Sequence, residues 1–411
     1  MINKLSVTKY ACYMSNVSMA AVSTLSPLLF ITFNKLYGIS YTLLGLLVLV
    51  NFCTQLLIDL IFSFYSHKFN IKRTVRIMPL LTVAGLVIYA VLPPLFPDIT
   101  YIFLLTGTII MSVSAGLAEV LISPIIAALP SKNPERDMSR AHSIYAWGLA
   151  VTVLLATLFL NIIGRERWYI LALIWALIPF TSFLLYSYAE IPQLETQQNS
   201  SATAKLFKNP LLEFSVLCIF LGGASENTMT QWCSGYLEAA LGIPKLWGDV
   251  FGVAVFAVML GTGRTLYAKY GRNISRFLLL GFIGAFFCYV TAALSSNAVI
   301  GLAACAFTGL CVSMLWPGTL IYAAEILPST GVAVYALLAA GGDLGGSVAP
   351  QLVGSITDFV AENSEAFSFF GSNLSAEQCG FKSGMLFAAI FPLLGIATVI
   401  IMKKLVKKKP L

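Results

Sequence analysis

Charged side chains are scarce in this 411-residue chain, because Asp, Glu, Lys and Arg make up only 10% of it. An average soluble domain carries about 25% charged residues. Hydrophobic residues account for 58% of the chain, more than a soluble core uses. A lipid bilayer solvates apolar side chains directly, and one helical crossing needs about 20 of them. The composition therefore excludes an ordinary soluble protein and predicts an integral membrane protein.

Other functional signals are also missing from the sequence. The first apolar run continues to Phe33, too long for a signal peptide, and has no cleavage site, so the first helix is expected to be retained. Seven of the eight cysteines fall in predicted spans and only Cys379 in a loop, which excludes a disulfide framework and metal-ligand spacing. No catalytic Ser/His/Asp set or Cys/His pair is present, so neither an enzyme nor a cofactor is expected. Lysines and arginines lie in short loops without interleaved aromatics, which argues against nucleic acid as a partner.

Apolar stretches predict about twelve membrane-spanning helices. They cover residues 10–33, 40–66, 74–95, 99–129, 138–163, 168–188, 211–240, 247–268, 274–294, 297–326, 330–358 and 383–402. With the N-terminus inside, about 20 of the 25 Lys and Arg residues are cytoplasmic, as the positive-inside rule requires. The residues predicted outside are Lys35, Arg165, Arg167, Lys245 and Lys382. We expect a multi-pass protein of the cell membrane with both termini in the cytoplasm.

The spans divide into two halves, predicted at 1–189 and 210–411, around a Ser/Gln-rich stretch at 190–209 that has the composition of a flexible linker. Gly116 is followed eight residues later by Pro124, as Gly309 is by Pro317. Parallel repeats of six helices are the major facilitator arrangement, whose substrate site lies near the midplane between the halves. The predicted fold is therefore all-α, with two pseudo-symmetric six-helix bundles.

The segment 63–73 (SFYSHKFNIKR) resembles, in degraded form, the G-x-x-x-D-R-x-G-R-R loop of the major facilitator superfamily. Ser63 stands at the first glycine, His67 at the aspartate and Asn70 at the second glycine. Lys68, Lys72 and Arg73 keep the positive charge.

Ionisable residues inside predicted spans are candidates for function, because burying them in a bilayer costs about 2.5 kcal/mol or more. Glu119 lies in the fourth span between Gly116 and Pro124. A buried carboxyl group there can carry a proton and accept a hydrogen bond from a sugar hydroxyl, so Glu119 is predicted to bind substrate and to couple. The alternative for every such residue is a hydrogen-bonding role between packed helices.

A polar interruption of the seventh span supplies further candidates. It contains Glu226, Asn227, Gln231 and Trp232 within an otherwise apolar segment. Carboxylate and amide groups can bind the edge of a polar ring while an indole contacts its face, so these residues are predicted to bind substrate.

Asp343 in the eleventh span is framed by glycines (GGDLGG), which predicts close helix contact or a flexing point. It is a candidate for substrate binding or coupling. No strand precedes the glycines, which excludes a phosphate-binding loop. Asp59, near the cytoplasmic end of the second span, is predicted to act in gating together with Lys68 and Arg73. His142 is predicted to act there too, as a hydrogen bonder or a proton relay.

Several segments together resemble the fucose permease-like branch of the superfamily, over most of the chain and in order. They are 119–124 (EVLISP), 139–148 (SRAHSIYAWG), 225–236 (SENTMTQWCSGY), Gly263-Arg264 and 314–317 (MLWP). The resemblance implies a proton- or sodium-coupled symporter of hexoses and related sugars. It maps the glutamate of the fourth span onto Glu119, and the glutamate and tryptophan of the seventh onto Glu226 and Trp232. Arg264 is predicted to act in gating.

The first span departs from this pattern, because it contains no acidic residue and Asn16 is its only strong polar candidate. Asn16 is therefore predicted to contact substrate. Coupling by Glu119 alone, coupling to sodium and uncoupled transport all stay open.

The leading functional prediction is a monomeric alternating-access carrier for a sugar or similar metabolite, with a coupling cation and membrane lipid as its other partners. One alternative is an efflux carrier for amphipathic compounds. The other is a non-transporting membrane sensor.

Overall fold

The computed structural model describes residues 4–39, 41–194, 209–244, 247–327, 331–363 and 374–408, and these contain helices and no strands. This confirms the predicted all-α class. The helices that precede residue 194 are α1 (Lys4–Tyr37), α2 (Tyr41–Tyr65), α3 (Ile71–Leu95), α4 (Thr100–Ala128), α5 (Pro134–Ile162) and α6 (Trp168–Tyr188). Those that follow residue 209 are α7 (Pro210–Leu241), α8 (Val255–Tyr270), α9 (Ile274–Leu294), α10 (Ala298–Val312), α11 (Leu315–Ile326), α12 (Val332–Glu362), α13 (Ala376–Ala388) and α14 (Ile390–Lys408). A π-helical turn, Gly248–Ala254, leads into α8.

Ten helical segments among the described residues are long and apolar enough to cross a membrane. Two of these segments contain a pair of helices each, α10 with α11 and α13 with α14. The helices α1 and α7 are 34 and 32 residues long, more than one crossing requires. Counting them, the described helices agree with the predicted twelve spans.

Asparagine side chains fix the start of several helices. Asn70 accepts a hydrogen bond from the backbone N–H of Arg73 at 3.1 Å and so caps α3. Asn273 caps α9 in the same way, through the backbone N–H of Arg276 at 3.2 Å. An asparagine at this position satisfies backbone donors that the first helical turn leaves unpaired. The segment 63–73 thus ends α2, forms a short turn and begins α3.

The described chain forms two compact units. The first contains α1 to α6 together with residues 331–340, and the second contains α7 to α11, the remainder of α12, α13 and α14. The predicted linker at 190–209 lies largely outside the described residues, which leave out 195–208.

Aromatic packing and small residues hold the first unit together. Trp168 is fully buried, and its ring lies 4.8 Å from that of Phe33 and 5.9 Å from that of Tyr89. Between α3 and α4, a Cβ on Gly107 would come within 2.9 Å of the Tyr89 Cβ. The backbones of these two helices approach closely because glycine has no side chain at that point.

Glycines also bring the helices of the second unit together. A Cβ on Gly222 of α7 would lie 3.0 Å from Leu315 Cβ of α11. Farther along α7, the Trp232 ring packs against Gly354 of α12, where a Cβ would lie 2.8 Å from the ring. The glycines of both sequence repeats make such contacts: a Cβ on Gly116 would meet Ile58 Cβ at 3.0 Å, and one on Gly309 would meet Phe256 Cα at 3.1 Å.

The predicted tenth span is found at Ala298–Ile326, with its helix interrupted at Ser313 and Met314. One sequence prediction needs correction. Cys379 lies in α13 and is 3% exposed, so it is not in a loop. Lys382, predicted on the outer side just before the last span, also lies in α13 and is 2% exposed. Its ammonium group donates hydrogen bonds to the carbonyls of Ala293 and Ser295, which the end of α9 leaves without helical donors.

Candidate functional site

The second unit contains a buried ion pair between two of the predicted site residues. Arg264 of α8 places its Nη2 atom 3.1 Å from Oε1 and 3.1 Å from Oε2 of Glu226 on α7. The Arg264 side chain is 3% exposed and the Glu226 side chain 14% exposed. Sequence reasoning assigned Glu226 to substrate binding and Arg264 to gating, and the structure places them in direct contact. Together they carry no net charge.

The same guanidinium group contacts the interruption of the tenth span. Its Nε atom donates a hydrogen bond of 2.8 Å to the carbonyl oxygen of Ser313. The adjacent Gly263 lets α8 approach, since a Cβ there would lie 2.7 Å from Ser313 Cβ. We call the Glu226 carboxylate, the Arg264 guanidinium and the Ser313 carbonyl the Glu226 cluster.

Backbone contacts hold the polar turn of α7 in place. The hydroxyl of Tyr289 on α9 donates a hydrogen bond of 2.7 Å to the carbonyl of Ser225, and the Thr230 hydroxyl donates one of 2.9 Å to the carbonyl of Glu226. A buried helix in a membrane protein satisfies extra polar groups internally in this way. The Tyr289 contact therefore ties the turn of α7 that carries Glu226 to α9.

The other predicted residues of α7 have distinct surroundings. Asn227 is half-buried, and its amide carbon would lie 3.1 Å from a Cβ on Gly346 of α12. The Trp232 indole N–H donates a hydrogen bond of 2.9 Å to the carbonyl of Pro350, which also lies on α12. Gln231 is exposed. Asp343 of α12 is 7% exposed. Asn227 and Trp232 of α7 therefore both lie against α12, and the exposed Gln231 does not join them.

Candidates in the first unit lie on α1, α4 and α5. Glu119 is half-buried in α4, one helical turn before Ser123, whose hydroxyl lies 3.4 Å from Nε2 of His142 on α5. Asn16 of α1 is 7% exposed, and its Nδ2 atom donates a hydrogen bond of 2.8 Å to the carbonyl of Ala141. Asn16 of α1 therefore contacts α5 at Ala141, next to His142, and His142 in turn lies near Ser123 of α4.

The predicted gating residues separate into a buried and an exposed group. Asp59 of α2 is fully buried, and the Ser63 hydroxyl donates 2.7 Å to its carbonyl oxygen. Lys68 is exposed, with its ammonium group 4.9 Å from the centre of the Tyr65 ring. Arg73 is exposed in the first turn of α3.

Sequence reasoning missed a set of buried hydroxyl groups in the first unit. A cavity of about 10 Å³, the size of one water molecule, lies between α1, α3, α4 and α6. Its lining includes the side chains of Ser15, Ser18, Thr82, Ser114 and Ser182. Most of these hydroxyls pair with one another, as Ser15 does with Ser182 at 2.8 Å and Thr82 with Ser114 at 2.7 Å. The three-residue spacing of Ser15 and Ser18 on one helix face was the only sequence signal for this set.

Comparison with known families decides the classification. The family model of the Major Facilitator Superfamily matches residues 11–350. The chain belongs to the major facilitator superfamily. This confirms the superfamily predicted from the sequence and makes the protein a member of a family of membrane transporters. No curated protein sequence matches the chain.

Solved structures of major facilitator proteins share the fold of this superfamily member. A variant of the E. coli fucose:proton symporter FucP is 13% identical, with a TM-score of 0.74 over 99% of this chain and 100% of that one. FucP in the outward conformation gives 14% identity and a TM-score of 0.75 over 99% of both chains. The proton:xylose symporter XylE, bound to 6-bromo-6-deoxy-D-glucose, is 15% identical, with a TM-score of 0.71 over 98% of this chain and 96% of that one. At such identities the likeness establishes the fold.

Proposed function

We propose that this protein is a secondary active transporter that moves a sugar or a similar neutral polyhydroxylated solute across the cell membrane by alternating access. The observation that carries the proposal is the Glu226 cluster, a buried ion pair whose Arg264 and Ser313 lie in segments long and apolar enough to cross a membrane. Ionisable residues are rare within membrane-spanning helices and mark solute and ion pathways. The fold likeness to two sugar:proton symporters supports the same solute class.

The state of Arg264 favours a neutral solute over an anion. Its Nη2 and Nε atoms are engaged with Glu226 and Ser313, so its charge is already balanced. The Glu226 carboxylate, at 14% exposure, offers lone pairs that accept hydrogen bonds from hydroxyl groups. The Glu226 carboxylate is therefore the acceptor that the cluster offers to the hydroxyl groups of a sugar, whereas the Asn227 amide packs against Gly346 of α12.

For coupling, we propose Glu119, with Asp343 as a second candidate. Both are acidic residues in helices that span the membrane, and both are at least half-buried. A cation drives transport only if it binds the two conformations of the carrier with different affinity. A carboxyl group that exchanges a proton or binds sodium meets this requirement, and proton and sodium are both candidates.

Transport in proteoliposomes tests these roles. We expect Glu119→Gln to abolish uphill accumulation of the solute while counterflow exchange persists, because exchange does not need the coupling ion. Glu226→Gln is expected to raise the KM for the solute, because it weakens the acceptor at the cluster. Asp98→Asn, in the exposed connection between α3 and α4, and Glu213→Gln, exposed in the first turn of α7, are matched controls that should transport normally. Unimpaired accumulation by Glu119→Gln would remove its coupling role.

Efflux of amphipathic compounds is the competing function, and a ligand panel separates the two. A transported ligand that binds the folded protein raises its thermal stability. Stabilisation by hexoses or pentoses supports the proposal. Stabilisation by lipophilic cations, with none by sugars, would favour efflux, and no transport of either class would favour a sensor.

A further inference from the structure

Pro317 leaves a backbone carbonyl without its helical donor. In an α-helix the carbonyl of residue 313 would accept a hydrogen bond from the N–H of residue 317, but proline has no N–H. The chain is accordingly interrupted at Ser313 and Met314, between α10 and α11. In a bilayer no water is present to hydrogen-bond such a carbonyl, so the protein itself must supply a donor.

Arg264 supplies that donor. Its Nε atom lies 2.8 Å from the Ser313 oxygen, and the Arg264 residue is 2% exposed. The Ser313 hydroxyl satisfies another carbonyl at the interruption, since it donates a hydrogen bond of 2.7 Å to the carbonyl of Leu310. Gly263 gives α8 the close approach that this contact needs, because a Cβ would lie 2.7 Å from Ser313 Cβ.

The guanidinium group thus has two tasks at once, since its Nη2 atom also holds both oxygens of Glu226. We propose that Arg264 is a positioning residue that links the Glu226 carboxylate to the proline interruption of the tenth span. A change in the hydrogen bonding of Glu226 shifts the guanidinium and is transmitted to the carbonyl that Pro317 leaves unpaired. The significance of this link for solute recognition rests on the proposed function, whereas the link itself does not.

Hydrogen–deuterium exchange of the full-length protein in detergent tests the link without any solute. The reporter is the peptide region 310–320, where the Gly318 amide donates 2.8 Å to the Met314 carbonyl. We expect Arg264→Ala to raise exchange in this region at least about tenfold, and Glu226→Gln to raise it by a smaller factor. Arg264→Lys keeps the charge but lacks the planar fork through which Nε and Nη2 reach partners in two directions, so it should also raise exchange and serves if the alanine variant does not fold.

Pro317→Ala provides the decisive background. It restores an N–H four residues after Ser313, so the carbonyl regains a helical donor and Arg264 is no longer required for it. We therefore expect Arg264→Ala to have a much smaller effect on exchange in the Pro317→Ala background. Lys382→Ala is the matched control, since it removes another buried cation that donates to carbonyls, at the end of α9.

Three results would overturn the proposal. They are unchanged exchange in region 310–320 for Arg264→Ala, an equal increase with and without Pro317, and an equal increase from Lys382→Ala. Unchanged exchange in Glu226→Gln would refute the connection to Glu226. Because the readout uses no solute, a failure to transport sugars leaves these results interpretable, and the two proposals fail separately.

Discussion

Removing Arg264 should destabilise the protein more than removing Glu226 and Arg264 together. Arg264→Ala leaves the Glu226 carboxylate buried at 14% exposure without its cation. Breaking a buried ion pair from one side costs about 3–5 kcal/mol. The Ser313 carbonyl also loses its donor, which adds about 1–3 kcal/mol. Glu226→Gln keeps an amide oxygen as acceptor for Nη2 and leaves the Ser313 contact intact, but the buried guanidinium loses its counter-charge, so this variant is expected to cost about 3–5 kcal/mol without the additional Ser313 cost.

In the double variant Arg264→Met/Glu226→Leu no charge remains buried. Replacing a buried pair with apolar residues of similar size is often close to neutral, so this variant is expected to retain more stability than Arg264→Ala. The double-mutant cycle with Arg264→Met and Glu226→Leu should give a coupling energy of about 2 kcal/mol. Equilibrium unfolding in mixed detergent micelles measures these differences, with thermal unfolding as a second readout. Additive effects, or an Arg264→Ala variant as stable as the parent, would refute the reasoning.

Two further substitutions test the packing of the second unit. Gly342→Ala places a Cβ against the Trp316 ring and should lower the free energy of unfolding by about 1–3 kcal/mol. Gly235→Ala is the control and should change stability little, because its Cβ would lie 3.4 Å from the Phe381 ring. Thermal unfolding of both variants measures the difference. Lys382→Met leaves the carbonyls of Ala293 and Ser295 unpaired and should cost about 1–3 kcal/mol in the same assay, and unchanged stability would show that these contacts contribute nothing.

Much of the fold could be predicted from the sequence because a bilayer imposes a simple rule on it. A crossing must be helical and about 20 residues long, so hydrophobic runs predict the helices. The end of α4 at Ala128 and the end of α11 at Ile326 also follow from the Leu-Pro pairs after them. Residues outside the hydrophobic runs were placed less well. Lys382 looks like a loop residue in sequence, yet its long side chain satisfies carbonyls from within a helix.

The pairing within the site could not be predicted in this way. Glu226 and Arg264 were both singled out, but they lie 38 residues apart and their contact depends on how α7 and α8 are rotated about their axes. A hydropathy pattern carries no information on that rotation. The position of Pro317 four residues after Ser313 did carry a signal for an interruption of the helix. The donor that satisfies Ser313 became visible only in the folded structure.

Uptake of radiolabelled sugars into proteoliposomes, with and without an imposed proton or sodium gradient, tests the central claim most directly. The account predicts saturable uptake of at least one neutral hexose or pentose, accumulation driven by one of the two gradients, and a raised KM in Glu226→Gln but not in Glu213→Gln. Uptake no faster than in protein-free liposomes for every sugar, together with transport of lipophilic cations, would contradict it.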